Sequence, residues 1–292
     1  LPEDRADLYE ESVKLLLARW QRAREAHDAE GNLIADPGIE RALGLGEVTL
    51  RAALERLAFT THVRQRQEIA DGEDNALADA PADIPRAEVL DVFVPLLPDD
   101  VSPTVLITYL ETRAGLLLGR REGVYAFPHR SFQEYLAVCH LANTAEDFAE
   151  RLRDLVWEDH TWWREVFLLG VGKMRQGGLS SALHVLNTLM PLGPEEVAAI
   201  TATHWHAAVL AGQALVDLAL PAKVAARPHV AATLNRVRRW LRALVEGGHL
   251  APRERAEAGD ILGRLGDPRP GVGVVTTASG VTRPDIVWCK VP

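Results

Sequence analysis

Tyr125-Ala-Phe-Pro-His-Arg-Ser-Phe-Gln-Glu-Tyr-Leu136, with Ala114-Gly-Leu-Leu-Leu-Gly119 just before it, decides how the rest of the chain is read. Ala114–Gly119 and Val124–Phe127 are short apolar runs around Arg120-Arg121-Glu122-Gly123, a polar loop closing on glycine, which predicts a β-hairpin. A helix start follows at once. Ser131 and Glu134 have the spacing of a capping box, in which the hydroxyl reaches the N3 amide and the carboxylate reaches back. Phe132, Tyr135, Leu136 and Cys139 recur at helical spacing and give that helix an apolar face. His129 stands at the junction, with Pro128 restricting the backbone before it.

Upstream, Asp7–Glu25 reads as a helix with Leu8, Val13, Leu16, Leu17 and Trp20 as its apolar stripe. His27–Gly46 is polar and punctuated by Gly and Pro, so it reads as a loop. Val48–Gln67 predicts a second helix packed through Leu50, Leu54, Leu57, Ala58 and Thr61, and acidic Asp71–Asp83 a mobile connection. Pro85–Leu97 and a segment running from Ser102-Pro103 to Arg113 predict two further helices. Helix, helix, hairpin is the plan of a winged helix, with residues 120–123 as the wing tip.

Downstream the pattern is all helical: Ser131–Asn143, Ala145–Val156, Trp162–Met174, Leu179–Met190, Pro194–Leu220, Pro228–Glu246 and Pro252–Leu265. Beyond Gly266 an extended linker leads to Pro284–Pro292, which reads as one strand without a partner. The fold class expected is mostly α, a winged-helix subdomain with a small β-hairpin followed by an α-helical array. The divisions are 1–80 helical, 81–135 winged helix, 136–265 helical, and 266–292 linker and start of a further domain.

Composition narrows the functional classes. The 292 residues suggest two or three subdomains, and 47% apolar with 25% charged residues is an ordinary globular balance. A net charge of −9 argues against general affinity for nucleic acid or anionic lipid. No apolar run approaches the roughly 18 residues of a membrane span. Cys139 and Cys289 suggest neither a disulfide framework nor a metal site, and a reducing cytoplasm fits. The start, Leu1-Pro-Glu-Asp-Arg, carries no initiator methionine and reads as cut from a longer polypeptide.

Candidate chemistry is sparse. Gly170-Val-Gly-Lys-Met174 fails as a phosphate-binding loop, because Phe167 stands at the first glycine and Met174 at the hydroxyl. His204 and His206 are two apart and on one helix point about 200° from each other, so they cannot share an ion. Trp157, Trp162 and Trp163 read as core packing. Arg120 and Arg121 could touch a nucleic-acid backbone or form a solvated turn.

Two stretches resemble a known family. Leu1–Tyr9 with Leu16-Leu-Ala-Arg-Trp20 is similar to the segment that follows the nucleotide-binding core in bacterial NACHT-type STAND NTPases. Arg113-Ala-Gly-Leu-Leu117, with Tyr125-x-Phe-x-His-x-Ser-Phe-Gln-Glu-Tyr-Leu136, resembles the wing and following helix of the same proteins. The resemblance covers roughly residues 1–265. It implies the regulatory arm of a signalling ATPase, coupling ADP/ATP state in an upstream core to a C-terminal sensor, in defence or signal transduction. His129 then falls on the position whose imidazole contacts the β-phosphate of ADP and holds the inactive arrangement. ADP/ATP with Mg would belong to the parent protein and not to this fragment, which has no catalytic site of its own. The implied partners are the upstream NTPase core and downstream sensor of the same chain, with ATP-dependent homo-oligomerisation. The alternatives are a nucleotide-independent helical interaction scaffold and a winged-helix DNA-binding regulator. Asp267-Pro-Arg-Pro-Gly-Val272 and Pro284-Asp-Ile-Val-Trp288 resemble the start of a formylglycine-generating-enzyme-like domain, from which no enzymatic role transfers.

Overall fold

The computed structural model describes residues 5–21, 24–27, 33–36, 38–72, 80–112 and 115–287. Their backbone forms two compact units, residues 1–146 and 147–292.

The first unit begins with α1 (Arg5–Gln21), then β1 (Arg24–His27) and β2 (Leu33–Asp36), which pair antiparallel. Helix α1 buries Ala6, Val13 and Leu17, while Leu8 is left half exposed, so its buried face is narrower than the sequence pattern suggests. The expected 27–46 loop instead holds β2 and the short helix α2 (Ile39–Leu43). Leu33-Ile-Ala-Asp36 is too short for a visible alternation, and its pairing with residues just outside α1 makes it a strand.

A 24-residue helix, α3 (Glu47–Ala70), comes next. Its buried face runs through Leu50, Ala53, Leu54, Leu57, Ala58 and Thr61 to His62 and Gln65. The helical period is kept while the chemistry turns polar, and a reading by hydrophobicity therefore loses the stripe before the helix ends.

β3 (Ile84–Pro85), α4 (Arg86–Phe93), α5 (Pro103–Thr112), β4 (Leu118–Arg121) and β5 (Val124–Ala126) follow. The strands form an antiparallel sheet in the order β3-β5-β4. Ile84 pairs with Tyr125 and Pro85 with Val124, so proline sits on an edge strand, where its missing N–H costs no ladder bond. Across β4 and β5, Leu118 pairs with Ala126 and Gly119 with Tyr125, and a bulge before Arg121 tightens the turn. Gly123 closes that turn at φ 68°, in the left-handed region. Arg120 and Arg121 lie in the strand, so the tip shortens to Glu122-Gly123. The order α3-β3-α4-α5-β4-β5 is that of a winged helix, and α6 (Arg130–Thr144) then packs back along α3. Residues 73–79 of the acidic connection lie outside the described residues.

The second unit holds α7 (Phe148–Glu158), α8 (Arg164–Gln176), α9 (Leu179–Leu189), α10 (Ala202–Asp217), α11 (Ala222–Ala225), α12 (Pro228–Gly247) and α13 (Pro252–Leu265). Asp147 caps α7 by accepting from the Glu150 N–H at 2.9 Å, which moves the start past the expected Ala145. The long helix expected over Pro194–Leu220 is broken. A 3₁₀ turn at Pro194–Glu196 and extended residues precede α10, whose start is fixed at Thr201 by His204 Nδ1 accepting the Thr201 N–H at 3.2 Å. Helices α10, α12 and α13 pack on one another around Trp240, which is fully buried and donates to the Leu192 carbonyl at 2.8 Å. β6 (Val274–Thr276) and β7 (Thr282–Pro284) then form an antiparallel hairpin where a linker was expected. Pro284 ends that pairing rather than opening an unpaired strand, and residues 288–292, Cys289 among them, lie outside the described residues. No described helix is long and apolar enough to cross a membrane.

Candidate functional site

His129 occupies the junction its sequence position suggests, but the local chemistry differs from a Ser131–Glu134 capping box. Helix α6 starts one residue earlier, and His129 itself is the N-cap, with extended backbone at φ −149° and ψ 150°. Its Nδ1 accepts the Ser131 N–H at 3.2 Å and lies 2.7 Å from the Ser131 hydroxyl. An N–H can only donate, so Nδ1 must be the unprotonated nitrogen and Nε2 carries the hydrogen. The residue is exposed, and among the described residues Nε2 has no hydrogen-bond partner. The result is an oriented donor at the N-terminus of a 15-residue helix, where partial positive charge favours an anion. Glu134, the other half of the expected box, is buried and accepts from Arg130 Nε at 2.8 Å.

The four residues after Ser131 explain why this helix cannot move by itself. Phe132 meets the Tyr9 ring edge-on at 5.6 Å. Gln133 is fully buried: its Oε1 accepts the Ala82 N–H at 3.0 Å, and its amide nitrogen lies 3.4 Å from Gln65 Oε1 and 3.5 Å from His62 Nδ1. Glu134 holds Arg130, and Tyr135 donates to Glu10 Oε2 at 2.6 Å. Arg51 forks onto both oxygens of the same Glu10 at 2.8 and 2.7 Å, while its Nε donates to Glu55 at 2.8 Å. Asn143 completes Glu55 at 2.8 Å. One polar network thereby joins α1, α3 and α6.

The electrostatics follow from this packing. The bonds to Glu10 and then Glu55 hold the Arg51 guanidinium protonated against the opposing effect of burial. Burial, with Cys139 and Glu10 adding to it, pushes the Tyr135 phenol well up, so it stays a donor. Burial and then the Arg130 charge push His62 down to about 3, which keeps it neutral. Sequence reading missed Glu10, Arg51, Glu55 and His62. The available signal was polar residues recurring at the helical period of an apolar face.

Arg121 lies 3.0 Å and Arg120 3.8 Å from the Asp83 carboxylate, and α5, placed as a recognition helix would be, carries no basic residue. Gly170, Val171 and Gly172 are buried inside α8, as expected of a helix rather than a phosphate loop. Trp162 and Trp163 are buried, whereas Trp157 is 44% exposed and lies 5.6 Å from the His204 ring. His204 also stacks on Trp240 at 5.9 Å. His206 faces elsewhere, toward Glu254 at 2.9 Å.

Residues 5–141 match the family model described as a winged helix-turn-helix domain C-terminal to NACHT. No curated protein and no solved structure matches the chain. The matched span begins at α1 and ends within α6, so it takes in the helices tied by the polar network as well as the wing. Residues 5–141 are thus similar to the winged helix-turn-helix domains that follow NACHT.

Proposed function

We propose that this winged helix is the regulatory arm of a NACHT-type signalling ATPase and that His129 reads the nucleotide held by the NACHT core. The observation that carries the reading is the exposed imidazole with Nδ1 engaged by Ser131, which leaves Nε2–H as an oriented donor. One donor beside a helix N-terminus makes a phosphate contact and no more. The residues that cradle ADP/ATP with Mg belong to the NACHT core of the same protein.

In this mechanism Nε2–H donates to a β-phosphate oxygen of ADP and keeps the winged helix docked on the core. Exchange for ATP withdraws that contact. The arm responds as a body, because Gln133 and Tyr135 fasten α6 to α3 and α1. Release is then a shift between two packings, passed on to the helical unit and to a downstream sensor domain. ATP-dependent self-assembly of the released protein supplies the signal.

The test is nucleotide exchange in the NACHT-containing protein. His129→Ala should speed ADP release by tenfold or more and raise basal assembly, with core ATP affinity little changed. Unaltered ADP release and unaltered basal assembly would overturn the reading.

A further inference from the structure

The second unit brings together three side chains that the nucleotide mechanism does not use. His160 lies in the turn before α8, His206 in the second turn of α10 and Glu254 in the first turn of α13. One ligand-capable atom from each lies within 4.8 Å of the others. They line a cavity of about 360 Å³ together with Thr161, Arg164 and Arg253.

Each side chain is held. Asp159 Oδ1 accepts the N–H groups of Thr161 and Trp162 at 3.2 and 3.0 Å, which fixes the turn around His160. Glu254 Oε2 accepts the Ala251 N–H at 2.9 Å, so Oε1 is left facing His206 Nε2 at 2.9 Å. The rings of His160 and His206 stack at 3.7 Å and 5°. Outer hydrogen bonds that orient ligands in this way are a regular part of metal sites.

We propose that His160, His206 and Glu254 bind a divalent transition-metal ion of the zinc class, pinning the turn before α8 to α10 and α13. Two imidazoles and a carboxylate are a donor set suited to zinc, and the cavity has room for water as the fourth ligand. The stacked rings offer their nitrogens side by side rather than toward one point. Binding therefore turns one ring about its Cβ–Cγ bond, a soft torsion. Arg164 is neutralised by Glu257 at 2.9 Å and adds little repulsion.

Titration of the 292-residue chain with Zn²⁺, and with Co²⁺ as a spectroscopic probe, tests this. One equivalent should bind with the visible absorption of tetrahedral cobalt, and Zn²⁺ should raise Tm by several degrees. His160→Gln and His206→Gln should each weaken binding at least tenfold and abolish the Tm rise, whereas exposed His184→Gln should change neither. If His206→Gln fails to fold, Glu254→Gln, which retains a carbonyl for the α13 cap, takes its place and should lose the same binding. Absence of binding at tens of micromolar metal, an octahedral cobalt spectrum, or unchanged affinity in the ring variants would each overturn the site.

Discussion

Tyr135 and Arg51 converge on one carboxylate, and the two contacts fail in different ways. Tyr135→Phe removes a donor and leaves Glu10 still forked by Arg51. The expected loss is about 1–2 kcal/mol, read as a lower urea midpoint at unchanged slope. Arg51→Leu strips Glu55 of its cation in a half-buried place and leaves Glu10 only the more distant Lys14 at 3.6 Å, and should destabilise the first unit by about 3 kcal/mol or more. Equal effects of the two substitutions would mean that the ion pair is not the centre of the network.

His62 makes the first unit acid-sensitive with a definite sign. Its folded value is depressed to about 3 against roughly 6.5 for an unfolded chain. Between those values only the unfolded state takes the proton, so stability is full above pH about 6.5 and declines as pH falls toward 3. The expected decline is roughly 2 kcal/mol between pH 6.5 and 5. His140, also pushed down by burial, acts in the same direction. Denaturant titrations of His62→Gln should therefore show a flatter slope over that window, and a slope equal to that of the parent would exclude His62 as the source.

At the scale of elements, two helical glycines separate packing from propensity. A methyl on Gly212 of α10 would stand 2.7 Å from Ile261 Cγ2 and 3.0 Å from Leu241 Cδ1, on branched side chains with little freedom to retreat. Gly259 of α13 has nothing within 4 Å. Relief of helical glycine is worth up to about 1 kcal/mol at either site. Gly259→Ala should thus stabilise by about that amount, while overpacking of about 1–3 kcal/mol makes Gly212→Ala a net loss. Paired thermal melts decide it, and a gain at Gly212 would show that α10 and α13 are less closely packed than described.

The elements also mark where sequence reading works and where it stops. Helices with one apolar face, α12 and α13 above all, are legible almost to the residue because proline opens and glycine closes them. The wing is legible from Gly119 and Gly123 around two arginines. The third strand is not, since Ile84-Pro85 is two residues long and becomes a strand only by pairing with β5. The α6 cap is misassigned for a related reason. Ser131 and Glu134 fit the spacing rule, but Arg130 claims Glu134 from within the helix and leaves the cap to His129. His206 and Glu254 stand 48 residues apart, beyond the reach of any local pattern.

For the whole molecule, the first unit couples a surface histidine to an internal polar frame, and the second is a helical array ending in a hairpin. The central claim is that His129 serves two purposes through two nitrogens, Nδ1 capping α6 and Nε2 meeting phosphate. These can be separated in the NACHT-containing protein by comparing His129→Asn with His129→Ala. Asparagine caps a helix well but lacks the imidazole donor, whereas alanine removes cap and donor together, at about 1 kcal/mol for the cap. The direct measurement is the ADP dissociation rate, with Tm recorded beside it. The prediction is that His129→Asn keeps the parent Tm yet releases ADP at least tenfold faster, as fast as His129→Ala. ADP release from His129→Asn at the parent rate would contradict it and reduce His129 to a helix cap.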